Sequence, residues 1–236
     1  MKMRAVCGVA SMVLMASGGG SSASAADGGW TVLFDGSSTA AWRGYGRDAF
    51  PAGGWVVENG ALKTVVGGDR CDIVTREKYS GFELELEWRV SPAGNSGVIY
   101  RVAEGPEAAW HTGPEMQVLD DSGHRDGKDP RTSAGSLYAL IAPKGATLRP
   151  VGEYNAARLV VRGDHVEHWL NGAKLLDYEL GSPALAALIA ESKFKDMPRF
   201  AKEKEGHVAL QHHGEEVWFR NVRIRRLDGG QAEARR

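Results

Sequence analysis

Residues 82–90 alternate apolar and charged side chains without a break: Phe82, Leu84, Leu86, Trp88 and Val90 fall on one face, Glu83, Glu85, Glu87 and Arg89 on the other. A period of two marks a β-strand with one face buried and one wet. Turn-forming pairs punctuate much of the remaining chain. Asn59-Gly60 lies between Trp55-Val56-Val57 and Ala61-Leu62, Gly163-Asp164 between Leu159-Val160-Val161 and residues 166–170, and Asn171-Gly172 precedes Lys174-Leu175-Leu176. Such pairs supply the left-handed backbone that two-residue hairpins need, so the pattern predicts successive antiparallel hairpins. A strand pair at 207–212 and 216–227 closes the chain. One segment departs from the period. From Pro183 to Lys193 apolar residues recur at helical spacing, with Ser182 as N-cap and Pro183 at the first helical position, which predicts a single short helix lying across a loop.

The N-terminus bears on compartment. Lys2 and Arg4 precede an apolar stretch from Ala5 to Ala16, and Ala23-Ser24-Ala25 has the small-x-small form of a cleavage site. This reads as a secretory signal, too short to span a bilayer as a mature helix. Cys7 lies inside the apolar stretch instead of after it, which argues against lipidation. The organisation expected is a signal over 1–25, one domain over 26–228, within the size range of a single large β-sandwich, and a polar tail over 229–236. The protein is expected in the periplasm or outside the cell, with no membrane span.

The 29 basic residues include Lys2 and Arg4 of the leader, which contains no acid, so against 30 acidic residues the mature chain has a formal charge of about −3. That balance gives no reason to expect nucleic acid as a partner, and the strand pattern shows no apolar surface for a protein partner. Cys71 alone remains after cleavage; it can form no internal disulfide and reads as a small buried apolar side chain rather than a nucleophile.

Several blocks then occur in a particular order: Leu33-Phe34-Asp35-Gly36, Gly94-Asn95-Ser96-Gly97-Val98, the run from Glu115 to Asp120, Gly135-Ser136-Leu137-Tyr138, the run from Glu167 to Gly172, and the run from Gly206 to Gly214. Phe219-Arg220-Asn221-Val222-Arg223-Ile224 closes the series. From about Trp30 to Leu227 the chain resembles the 3-keto-disaccharide hydrolase domain family. The resemblance implies an all-β, concanavalin-like jelly-roll sandwich of two antiparallel sheets, related to lectins and β-glucanases. It also implies a small carbohydrate substrate, a glycoside already oxidised to a ketone at sugar carbon 3. There is one departure: the family reads Gln-Asp-His-Gly where this chain has Gln211-His212-His213-Gly214.

The residues also carry an argument of their own. In the run Glu115 to Asp120, Glu115 and Gln117 share one face while Met116 and Val118 point the other way, into a core. This resembles the acidic strand of the related glucanases, where a bulge brings a third acid, here Asp120, onto the same face. Gly97 leaves room above its sheet, and Asn95, Ile99 and Arg101 share its side, so Arg101 is a candidate donor to sugar hydroxyls or a developing oxyanion; a surface pair with Glu104 is the plainer alternative. His212 and His213 face opposite ways on a regular strand, and the resemblance selects His213 for the cleft, with Gln211 beside it. His168 shares a strand side with apolar Val166 and Leu170, which suits a satisfied core histidine as well as a site residue. Trp42, Trp110, Tyr138 and Trp169 lie near turns or polar strands, where one or two of them can stack on a pyranose.

Glu115 and His213 are therefore the expected catalytic pair, with Asn95, Arg101, Gln117, Asp120, Tyr138, His168, Trp169 and Gln211 as substrate contacts. A ketone at carbon 3 acidifies the proton on carbon 2, so a base, an acid and an enolate-holding group suffice for elimination, with water then adding across the unsaturated sugar. The order of Glu115 and His213 as base and acid stays open. Direct displacement through two carboxylates, Glu115 with Asp120, is the other chemical route. The rival function is a non-catalytic, lectin-like carbohydrate-binding module, since the jelly roll serves both. No step requires a cofactor. The metal question stays open: the histidines make no recognisable ligand spacing, while the loop Asp120 to Asp129, whose Gly123 to Asp129 stretch reads as a mobile cover for the site, leaves room for a structural calcium ion.

Overall fold

The computed structural model describes residues 29–227. The signal and tail read at the two ends lie outside the described residues. The first half of the chain forms β1 (Trp30–Phe34), β2 (Trp42–Gly44), β3 (Trp55–Glu58), β4 (Ala61–Thr64), β5 (Ile73–Thr75), β6 (Phe82–Val90), β7 (Asn95–Val102) and β8 (Glu115–Leu119). The second half forms β9 (Asn155–Arg162), β10 (His165–Leu170), β11 (Ala173–Glu179), α1 (Pro183–Ala190), β12 (His207–Leu210) and β13 (Val217–Arg226).

These strands make two antiparallel sheets packed as a jelly-roll sandwich. The larger runs β11-β10-β9-β6-β13-β4-β3 with β1 also paired to β13, and the smaller runs β2-β5-β12-β7-β8. The alternation along β6 is realised: Phe82, Leu84, Leu86, Trp88 and Val90 are buried in the core between the sheets. On the opposite face Glu83 pairs with Arg158 and Arg225, Glu85 with Arg223, and Glu87 with Arg220. These charged ladders across neighbouring strands keep the outer face wet.

The helix lies within the segment read for it, and Ser182 caps it by accepting a hydrogen bond from Leu185 N (3.2 Å). Among the described residues no helix is long and apolar enough to cross a membrane.

The smaller sheet is covered on both faces. Val98, Tyr100, Met116 and Val118 enter the main core, whereas Val74, Ile99, Val102 and Ala209 form a second apolar cluster on the other side with Ala109, against which Tyr45 and Trp110 pack. All eight residues of β7 are buried as a result. The segments that cover this outer face, around 109–141 and 191–206, wall a cavity over the sheet.

Candidate active site

The cavity is built on the pairing of β7 and β8. Gly97 sits opposite Gln117 and Ile99 opposite Glu115, so the side chains of Glu115 and Gln117 rise beside a strand that carries no side chain at position 97. A Cβ at Gly97 would fall 1.9 Å from Glu115 Oε1. The glycine is what lets this carboxyl lie flat over the sheet. With its amide turned to satisfy its neighbours, Gln117 donates from Nε2 to Ser96 O (2.8 Å) and to Glu115 Oε1 (3.2 Å).

The 135–138 segment then runs along β8, with Gly135 N donating to Gln117 O (2.8 Å) and Tyr138 N to Glu115 O (3.0 Å). This pairing brings the Tyr138 ring to the mouth of the cavity, where its hydroxyl donates to Asp126 Oδ2 (3.1 Å). On the other flank Gln211 N donates to Gly97 O (3.0 Å), which carries the chain past β7 and delivers His213. Asn95, Trp110, Glu115, Gln117, Tyr138, Lys193, Gln211 and His213 enclose about 180 Å³. That is below the ~300–1,000 Å³ of sites that engulf a drug-sized ligand, and suits one sugar ring with its partner at the mouth.

Two titratable groups in this space are prepared in different ways. Glu115 is buried without an ion pair among the described residues, and the loss of hydration pushes its carboxyl up to about 8; Lys193 acts against that rise, while Asp72 and Asp126 add to it. It is protonated at neutral pH. His213 is partly exposed, and its Nδ1 lies 2.8 Å from Glu215 Oε2. A carboxylate on Nδ1 fixes that nitrogen as the N–H and leaves Nε2 as the acceptor. The His213 ring meets His124 edge-on, centroids 5.9 Å apart, and Asn95 Nδ2 lies 3.4 Å from His124 Nε2.

Ligand atoms of His124, His213 and Glu215 all lie within 4.8 Å of one another. Their bonding suits a histidine–carboxylate dyad better than a metal shell: Glu215 already faces His213 Nδ1, and His124 Nδ1 accepts from Asp126 N (3.1 Å). The aspartates of the 120–129 loop, where calcium was an open expectation, are bonded separately: Asp121 accepts from Ala134 N (2.8 Å) and Asp129 from Arg131 N (2.9 Å).

Asn95, Glu115, Gln117, Tyr138, Gln211 and His213 are thus brought together, with Trp110 from the aromatic candidates. Four expected contacts are not. Arg101 adopts a left-handed backbone (φ 52°) where the β7–β12 register shifts, and this bulge turns its guanidinium away from Gly97's side. It donates to the carbonyls of Ser80 and Gly163 and lies 3.7 Å from Asp164, while Glu104 pairs with Arg43 (2.6 Å). Asp120 follows the end of β8 with no bulge to redirect it. Its Oδ1 accepts from Ser122 N and Gly123 N (both 3.0 Å) and its Oδ2 from Ala93 N (2.8 Å), so it ties a turn.

His168 is enclosed in the core. Tyr100 Oη lies 3.0 Å from Nε2 and Gly135 O 3.1 Å from Nδ1, and burial pushes the imidazole down to about 4. Trp169 stands on the outer face of the larger sheet, donates to Glu167 Oε2 (2.8 Å) and receives Arg158 over its ring at 4.9 Å. It borders a roomier groove of about 680 Å³ with Val32, Glu85 and Arg223. Among the described residues lining that groove Glu85 and Glu87 are matched by Arg223 and Arg220 and Asp35 accepts from Ser37 and Ser38, so no acid and base converge there; the smaller cavity is the better site. Trp42 is also core, donating from Nε1 to Leu33 O (2.9 Å). His212 faces away from the cavity and packs edge-on against Trp55 at 5.8 Å.

Residues 29–225 match the model of the 3-keto-alpha-glucoside-1,2-lyase-like domain. A 3-keto-disaccharide hydrolase of Bacteroides thetaiotaomicron is 35% identical over 230 residues, covering 85% of this chain and 79% of that protein. The crystal structure of a candidate glycosyl hydrolase from Parabacteroides distasonis superposes with a TM-score of 0.78 at 33% identity, over 85% of this chain and 94% of that one. A second from the same organism gives 0.67 at 26% identity, over 84% and 99%.

Proposed function

We propose, from the premise that this chain belongs to the 3-keto-alpha-glucoside-1,2-lyase-like domain family, that it is an exported enzyme cleaving the glycosidic bond of 3-keto-disaccharides or related 3-keto-glycosides by elimination and rehydration. The observation that carries this reading is the pairing, in one ring-sized cavity, of a carboxyl protonated at neutral pH with a histidine held as a base. A proton donor and a nitrogen lone pair facing one cavity are what acid–base catalysis requires.

The ordering left open by the sequence follows from this. His213 Nε2 removes the proton from C2, and the C–H electrons form the C2–C3 double bond as the carbonyl π electrons move onto the C3 oxygen. Collapse of that enolate forms a C1–C2 double bond and expels the glycosidic oxygen from C1, which takes the proton of Glu115. The first sugar leaves as an alcohol and an unsaturated ketone stays. Water then adds at C1, giving a proton to the Glu115 carboxylate, while the part-exposed His213 imidazolium, its Nε2 proton exchanged with solvent, protonates C2. Both residues end as they began, and the net change is one water consumed.

Gln117 steadies Glu115 through its amide, and Asn95, Gln211 and Tyr138 are placed for sugar hydroxyls. Among the described residues lining the cavity Glu115 is the only carboxylate, whereas direct displacement requires two flanking the scissile bond. The N-terminal signal read from the sequence supports action outside the cytoplasm.

Turnover of a 3-keto-disaccharide in deuterium oxide tests the route. Elimination places one deuterium at C2 of the released keto sugar; product with protium retained at C2 rules the route out.

A further inference from the structure

Removing the C2 proton places negative charge on the C3 oxygen, and Asn95, Gln117, Gln211 and Tyr138 offer it only neutral donors. The cation that the sequence suggested, Arg101, is occupied across the molecule with the carbonyls of Ser80 and Gly163. The cavity nevertheless has a cation on its wall. Lys193 lies beyond the end of α1, in the segment that crosses over the smaller sheet, and lines the cavity with Glu115 and His213. We propose that Lys193 is a catalytic residue whose ammonium stabilises the C3 enolate oxygen of the bound 3-keto sugar; this rests on the elimination reading above.

The placement is a built one. Phe194, the next residue, is buried and stacks on Phe200 with centroids 3.9 Å apart and planes at 8°, which pins the segment to the core. Lys193 Nζ then lies 4.3 Å from the Tyr138 ring centroid, 4.8 Å from that of Trp110 and 5.1 Å from that of Phe194. Three aromatic faces around one ammonium favour its charged form and restrict its position without using its N–H donors. Among the described residues Lys193 makes no ion pair.

The state of Glu115 matters here. Ionised, it would neutralise the nearby ammonium; protonated, it leaves the charge for the substrate. Partial loss of hydration lowers the lysine's pKa, and Glu115 and Asp126 oppose that fall. A compact point charge with rotatable donors suits a single oxyanion. Two of the caging rings, Trp110 and Tyr138, themselves line the cavity, so the pocket that receives the sugar also fixes the lysine.

The test compares the mature wild-type protein with Lys193→Met, Lys193→Gln and Lys193→Arg on one 3-keto-disaccharide, reading kcat, KM, and C2 hydrogen exchange in deuterium oxide by NMR. Loss of an oxyanion-stabilising charge predicts that Lys193→Met lowers kcat by about 10²–10³-fold and slows C2 exchange in step, with KM within about threefold. Lys193→Gln should resemble Lys193→Met, which guards against a folding defect in one variant, and Lys193→Arg should recover at least about tenfold of the loss. If both neutral variants keep kcat and exchange within about threefold of wild type, Lys193 is a surface residue and the proposal is wrong. If borohydride traps a substrate adduct on wild type that Lys193→Met does not form, the lysine acts covalently and the charge role is also wrong. Wild-type protein that neither cleaves the keto sugar nor exchanges its C2 hydrogen overturns the elimination reading itself; wild-type turnover that the neutral variants share overturns only the lysine assignment.

Discussion

Replacing Gly97 with alanine places a methyl carbon 1.9 Å from Glu115 Oε1, 2.6 Å from Cδ and 2.7 Å from Cγ. Ordinary contact lies near 3.5 Å, so the carboxyl end retreats by about 1.5 Å. Position 97 has no left-handed backbone that alanine would strain, and the clash falls on a side chain that can swing toward the cavity. Stability should therefore fall by only about 1–3 kcal/mol, the usual cost of overpacking. Activity should fall much more, because a misplacement of about 1 Å at a reacting group can cost about 10²-fold. The assay is kcat and KM on a 3-keto-disaccharide, well below a melting temperature measured on the same sample. Gly97→Ala should lose about 10²-fold in kcat, whereas added to Glu115→Gln it should slow that variant little further, since both changes act through one carboxyl. A Gly97→Ala protein that keeps kcat within about twofold, or a double variant whose losses multiply, refutes the placement of the acid over Gly97.

Other consequences follow from the same geometry. Glu115 titrates near 8 when folded against an ordinary value of 4.5, so between those pH values the folded state holds a proton that the unfolded state has released. Stability should decline with rising pH across that window, by up to about 1.4 kcal/mol per pH unit, and Glu115→Gln should remove this component; melting curves at pH 5 and 9 measure it. Glu215→Gln should lower kcat by about 10–100-fold through loss of His213 positioning, with KM and melting temperature nearly unchanged, as steady-state kinetics and a melting curve would show. Arg101→Met should do the reverse. It removes hydrogen bonds from a buried cation, each of the order of 1.5–3 kcal/mol, so the melting temperature drops while kcat/KM at low temperature stays near wild type. Trp169→Ala, on the outer sheet face, should leave kcat/KM within about twofold.

Much of the site was readable because β-strands impose a rule on their side chains. The period of two put Glu115 and Gln117 on one face of β8 and Met116 and Val118 on the other, where the structure has them. The same rule separated His212 from His213, and the sheet register brings Gln211 past Gly97. Where the rule is interrupted the reading failed. Arg101 was assigned to Gly97's side on strict alternation, but a bulge with φ 52° turns it across the fold. Asp120 lies one residue past the end of β8, where turn bonding, not strand alternation, decides its direction.

Residues acting through long-range contacts left no local signal. His168 reaches Tyr100 across the sandwich, a pairing of positions 68 residues apart. Lys193 belongs to an irregular segment after α1, and only the anchoring of Phe194 against Phe200 brings it to the cavity. Glu215 did leave a signal, a carboxylate two residues beyond a candidate base, yet nothing in the spacing says that the chain turns there to bring it onto Nδ1.

The central claim is that this cavity cleaves sugars activated by a ketone at carbon 3. Incubating the purified protein with matched pairs of a disaccharide and its 3-keto form, and resolving the products, decides it. The expected result is cleavage of the keto form alone, abolished by Glu115→Gln. Equal cleavage of both forms, or binding of either without cleavage, contradicts it.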